Sequence, residues 1–157
     1  MQPMKRVIVV MLALSAVALG IVIARNAPDA DQQAVDYRQA LMTVIDGVTE
    51  PLFRMQRGQL AYDTAVVRKR AAQLTVLSGM VGDAFTRDTR SSTHLQTAAL
   101  PYVWSDPASF AAAVRRMQTA ATALQHAAEA QDPDAVRPAI AALDTDCAQC
   151  HRQFRAN

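Results

Sequence analysis

Cysteine, glycine, aromatic side chains and net charge are all scarce in this chain of 157 residues. Five glycines beside abundant alanine favour helix, and no repeat of roughly 20 to 50 residues runs along the chain, which argues against a repeat array. The excess of 16 basic over 14 acidic residues is small, and Lys5 and Arg6 account for all of it, leaving 14 of each sign beyond residue 24. So even a balance leaves no electrostatic footprint for nucleic acid. The three histidines offer little to a structural zinc, which needs four ligands, because His94 and His126 stand at long, irregular spacings from the cysteines. No acid–base pair or nucleophile constellation is visible either: His94 reads as a loop residue and His126 as an exposed helical one. No catalytic residues are assigned, and the chain is read as a non-enzyme.

What is present is concentrated at the two ends. Both cysteines fall in Cys147-Ala148-Gln149-Cys150-His151, close to the C-terminus. Cys-x-x-Cys-His is the attachment run of c-type haem: the two thiols bond to the porphyrin vinyl groups, and the next imidazole becomes the axial ligand of the iron. A thioredoxin-like redox pair would follow a strand, and no strand pattern precedes this one. On a helix, Cys147, Cys150 and His151 stand at i, i+3 and i+4 and project from one face, with Leu143 and Ile140 continuing it as apolar cover.

At the other end, Lys5 and Arg6 precede an apolar run over Val7–Ile23, and Val22-Ile23-Ala24 suits cleavage after Ala24. Residues 1–24 therefore read as an export signal, with a retained membrane anchor as the second reading. Export agrees with the motif, since haem of this type is attached outside the bacterial cytoplasm. The remaining residues, 25–157, suit one domain.

Helical periodicity covers nearly all of that domain. Asp29 or Asp31 can cap a first helix that runs to about Gln56, with Val35, Met42, Ile45, Leu52 and Met55 as its apolar stripe. Tyr62-Asp63 opens a second, carrying Val67, Ala71, Leu74, Ser78, Val81 and Phe85. Asp106-Pro107 and Asp132-Pro133 each set a capping aspartate before a first-turn proline. The third helix then shows Phe110, Val114, Met117, Ala121 and Leu124; the fourth shows Val136, Ile140, Leu143, Cys147, His151 and Phe154. The fold class is all-α, an antiparallel four-helix bundle with the haem-attachment motif at its C-terminus. Pro51 and Pro138 fall inside helices, where kinks or short breaks are expected. Residues 86–105 form a long connection, the kind that is usually functional or partly disordered, and its Trp104 can plug the bundle end or wrap an exposed haem edge.

The residues Tyr37-Arg38-Gln39, Arg57-Gly58-Gln59, Tyr62-Asp63, Val103-Trp104-Ser105-Asp106 and Cys147–His151 with Phe154-Arg155 resemble the cytochrome c-prime family over essentially the whole domain. The resemblance implies one covalently attached haem c, with Cys147 and Cys150 as thioether carriers and His151 as proximal iron ligand. It also implies that Arg38 and Gln39 lie by the haem propionates, that Arg155 lies near the proximal pocket, and that Met42 occupies the distal site. Five-coordinate members carry leucine, phenylalanine or tyrosine there; the low-spin cytochrome c-556 branch carries a methionine that ligates. Met42 and Arg38 are one helical turn apart, whereas Met55, 13 residues on, lies roughly 20 Å further along the axis.

The preferred reading is a periplasmic monohaem cytochrome carrying single electrons through His151/Met42 coordination. The alternative is a five-coordinate haem that binds nitric oxide or carbon monoxide beneath a covering Met42. The implied partners are redox proteins of the periplasm or inner membrane and a second copy in a homodimer. Nucleic acid is not among them, and a membrane is a partner only if the N-terminal segment is retained.

Overall fold

Helices begin and end where the capping chemistry puts them. A computed structural model describes residues 29–156, and these contain five helices. They are α1 (Ala30–Gln56), α2 (Thr64–Ala84), the single turn α3 (Tyr102–Ser105), α4 (Pro107–Glu129) and α5 (Pro133–Phe154). The Asp63 carboxylate accepts from the amides of Ala65 and Val66 at 2.9 and 3.0 Å and starts α2. Asp106 accepts from Ser109 N–H to start α4, and Asp132 accepts from Asp134 and Ala135 N–H to start α5, each followed by proline at the first helical position. α1 stops on a Schellman turn: Gly58 sits at φ +70°, Gly58 N–H donates to Met55 O, and Gln59 N–H donates to Arg54 O. The segment assigned above to an export signal lies outside the described residues. Among those described, no helix is long and apolar enough to cross a membrane.

The four long helices form an antiparallel bundle, as the helical periodicity and the capping residues lead one to expect. Each contributes one leucine with 0% of its surface exposed: Leu52, Leu74, Leu124 and Leu143. Full burial of such a side chain contributes about 1.5–3 kcal/mol. Leu52 and Leu124 belong to the end of the bundle away from the motif, whereas Leu74 and Leu143 lie at mid-helix. The opposite end is built differently. There Phe85, Phe110 and Phe154 step across the core, with ring centroids 5.0 and 5.2 Å apart.

Of the kinks or short breaks expected at Pro51 and Pro138, the breaks do not occur: α1 and α5 run through both prolines. The carbonyl that each proline deprives of its donor belongs to an exposed residue, Gly47 or Asp134, so water can take the lost bond.

The long connection after α2 is an ordered strap. The Asp31 carboxylate accepts from Arg87 Nε and Ser92 Oγ, and Gln39 Nε2 donates to Gln96 O at 2.9 Å. Further on, Leu100 N–H donates to Phe154 O at 2.9 Å and Ala156 N–H to Ala98 O at 2.8 Å. The strap therefore ties the N-terminal half of α1 to the C-terminal end of α5. Trp104, on α3, closes this end of the bundle and donates its indole N–H to Phe85 O at 2.9 Å.

Candidate functional site

The last two turns of α5 carry the motif. Cys147 and Cys150 are half-buried free thiols packed against the apolar core. Burial, reinforced by the nearby Asp144 carboxylate, pushes the Cys147 thiol up to about 11. Cys150 is raised by burial too, with Arg116 of α4 acting in the opposite sense. Both thiols are therefore protonated at neutral pH, which disfavours their use as thiolate ligands or as a redox pair. Among the described residues no group of three or more His, Cys, Asp or Glu side chains can hold a bare metal ion.

His151 lies on the exposed side of α5, outside the core stripe in which its spacing placed it. Burial of part of its ring lowers its pKa, as does the neighbouring Arg155, while Asp46 of α1 acts the other way. Asp46 of α1 is thus near enough to act on the imidazole. Met42 stands one turn before Asp46, half-buried against the apolar core.

Arg38, one turn before Met42, is the least ordinary residue of this wall. It is 3% exposed. Its guanidinium lies over the rings of Phe85 and Trp104, 5.4 and 5.1 Å from their centroids. Nε donates to Ala34 O at 3.0 Å, and Nη2 donates to the hydroxyl of Thr89 at 2.9 Å. Nη1 is buried and has no hydrogen-bond partner in the protein. A buried cationic donor left over in this way is costly unless an anionic acceptor completes it.

These features fit haem c. Two half-buried thiols at i and i+3 are followed directly by an imidazole open to a ligand, a half-buried thioether stands on α1, and a spare buried guanidinium N–H suits a propionate carboxylate. Comparison with known proteins settles the affiliation: the family model described as Cytochrome C' matches residues 33–155.

The chain belongs to the cytochrome c-prime family.

It is 32% identical over 127 residues to cytochrome c' of Rhodopseudomonas palustris, covering 81% of this chain and 84% of that one. Among solved structures, cytochrome c prime from Shewanella frigidimarina is similar at 27% identity and a TM-score of 0.76, covering 83% of this chain and all of the other. A nitric oxide complex of a mutant cytochrome c prime from Alcaligenes xylosoxidans matches at 29% identity and a TM-score of 0.73, covering 83% and 99%. Relatives called cytochrome c-554 and cytochrome c-556 also match, at 27% and 28% identity. Members of the cytochrome c-prime family carry covalently attached haem c and are periplasmic.

Of the residues singled out from the sequence, the structure gathers Cys147, Cys150 and His151 on one end of α5 with Arg155 as the next residue past the helix. Met42 and Arg38 share a wall on α1. Gln39 is exposed, with its amide used on the strap. Two things were missed. Arg38 was read as lying beside the propionates, but not as buried, although it falls in phase with Val35, Leu41 and Ile45 on the apolar stripe. Thr89, its partner, carries no local signal at all.

Proposed function

We propose that this cytochrome takes up a diatomic gas, nitric oxide or carbon monoxide, on the haem face that Met42 covers, with His151 holding the iron from the other side. The observation that carries this reading is the likeness to cytochrome c prime structures that hold nitric oxide, at 29% identity and a TM-score of 0.73. When bound, the haem supplies an iron that can accept an electron or an axial ligand. The rest is the work of the chain. Cys147 and Cys150 would hold the porphyrin at two points through covalent thioethers. Arg38 offers its spare N–H to a propionate. Met42, unbranched and with three rotatable side-chain bonds, can cover the distal face and still yield to a small ligand.

The second reading is one-electron transfer between periplasmic or membrane redox proteins through a His151/Met42 pair. It is favoured by the thioether at position 42 and by the likeness to a cytochrome c-556. In either case the exposed Tyr37 and Val44 on α1, with Val76 and Met80 on α2, suit pairing of two copies.

Met42→Leu separates the two readings. Under gas binding, the resting protein is high-spin before and after the change, and only the rate of carbon monoxide uptake moves. Conversion of a sharp low-spin spectrum into a high-spin one would instead make Met42 the sixth ligand and electron transfer the function.

A further inference from the structure

We infer that Thr89, on the strap, is a positioning residue for the haem: its hydroxyl sets the direction in which buried Arg38 presents its free Nη1 donors to a haem carboxylate. The inference rests on the haem site of the family and holds whether the sixth coordination position is open or taken by Met42.

Thr89 is out of character for its setting. Residues 86–101 lie outside any helix and are otherwise exposed or half-exposed, yet Thr89 is only 4% exposed. A threonine buried in a polar connection needs a hydrogen-bond partner. Its hydroxyl oxygen accepts from Arg38 Nη2 at 2.9 Å across 51 positions of sequence. The guanidinium is a rigid planar fork, so very few contacts determine where each of its N–H groups points. Phe85 and Trp104 bound its faces, and the bond from Nε to Ala34 O pins its inner edge. These still allow the terminal nitrogens to tilt. The Thr89 bond removes that freedom, and Nη1 is left buried without an acceptor.

The carboxylates nearest in the field of Arg38 are Asp31 and Asp88. Both are engaged elsewhere, Asp31 by Ser92 and Arg87, and Asp88 by Arg90. Both act on the charge of Arg38 from a distance, but its buried Nη1 has no hydrogen-bond partner in the protein and is left to donate to another acceptor. A cation fixed beside a propionate favours the reduced haem, because the reduced iron carries one positive charge fewer. Loosening the fork weakens that preference.

The experiment compares haem-loaded wild-type protein with Thr89→Val, which keeps shape and removes the hydroxyl, and with Thr89→Ser, which restores it. The readouts are the reduction potential and the hydrogen exchange of the Arg38 Nε–H followed by NMR. Thr89→Val is expected to lower the potential, shifting the reduced-to-oxidised ratio at fixed ambient potential about tenfold toward oxidised, the scale of one charge-assisted bond. Arg38 Nε–H exchange accelerates in parallel, and Thr89→Ser recovers both. An unchanged potential in Thr89→Val overturns the inference, as does an equal fall in Thr89→Val and Thr89→Ser, which would assign the effect to packing. Should Thr89→Val fail to mature, Thr89→Ala against Thr89→Ser makes the same comparison at nearly constant volume. Carbon monoxide uptake is not a readout, so a failure here leaves the gas-binding reading standing, and the reverse.

Discussion

The ring of Phe154 meets that of Phe110 nearly edge-on, at 5.2 Å and 83°, three residues beyond His151. This contact fastens the end of the haem-bearing helix to α4, and Phe110 passes it on to Phe85 under the Arg38 guanidinium. Removing it should loosen both. Phe154→Ala is expected to destabilise the protein by about 3–5 kcal/mol, the range for a buried aromatic truncated to a methyl group. Phe154→Leu keeps most of the burial and forfeits the ring pair, for about 0.5–1.5 kcal/mol beyond the lost area. Denaturant unfolding of the three haem-loaded proteins measures both.

Leu124, at the far end of α4, should behave independently of the haem. Leu124→Ala is expected to cost about 2–5 kcal/mol, with no change in the visible spectrum, because its position belongs to the half of the bundle away from the motif. Thermal melts alongside spectra of the oxidised and reduced protein test this. A spectrum altered as much as the melting temperature would contradict the separation of the two ends of the core.

α5 continues through Pro138, so that residue carries a cost in helix propensity. Pro138→Ala is expected to stabilise by about 2 kcal/mol, the helix penalty of roughly 3 kcal/mol less the entropy, about 0.4–1 kcal/mol, by which proline restricts the unfolded chain. A loss of stability would mean that the ring itself is needed at that position.

Acid should release the strap. The hydrogen bonds from Ser92 and Arg87 hold the Asp31 carboxyl below its ordinary value of 3.8. A carboxylate lowered in the folded state contributes stability that is fully present above its unfolded value and lost as pH falls through the folded one. The contribution of Asp31 is thus complete above about pH 4–5 and disappears below, in the acid range. Asp31→Asn should flatten the low-pH limb of the melting-temperature profile relative to wild type; a limb of unchanged slope would remove Asp31 from that role.

Much of this architecture was legible because it is local. Asp63, Asp106 and Asp132 announce helix starts through chemistry that acts within three residues, and Cys147–His151 announces a cofactor through spacing alone. The errors arose where tertiary surroundings decide. The penalties of Pro51 and Pro138 were read without the solvent that satisfies the orphaned carbonyls. The place of Arg38 beside the propionates follows from the family resemblance, but its burial does not, although its phase on the stripe of α1 puts it inside. Thr89 was invisible, since its importance lies in a contact 51 residues away. The role of Met42 was left between two chemistries because a thioether serves as ligand or as cover from the same position.

That last choice is the centre of the account, and the visible spectrum of the mature, haem-loaded protein addresses it directly. It is to be recorded oxidised and reduced, with and without carbon monoxide. The account predicts broad high-spin bands that shift when the gas is added to the reduced protein. Sharp low-spin bands unmoved by carbon monoxide would contradict it, placing Met42 on the iron and making the protein an electron carrier.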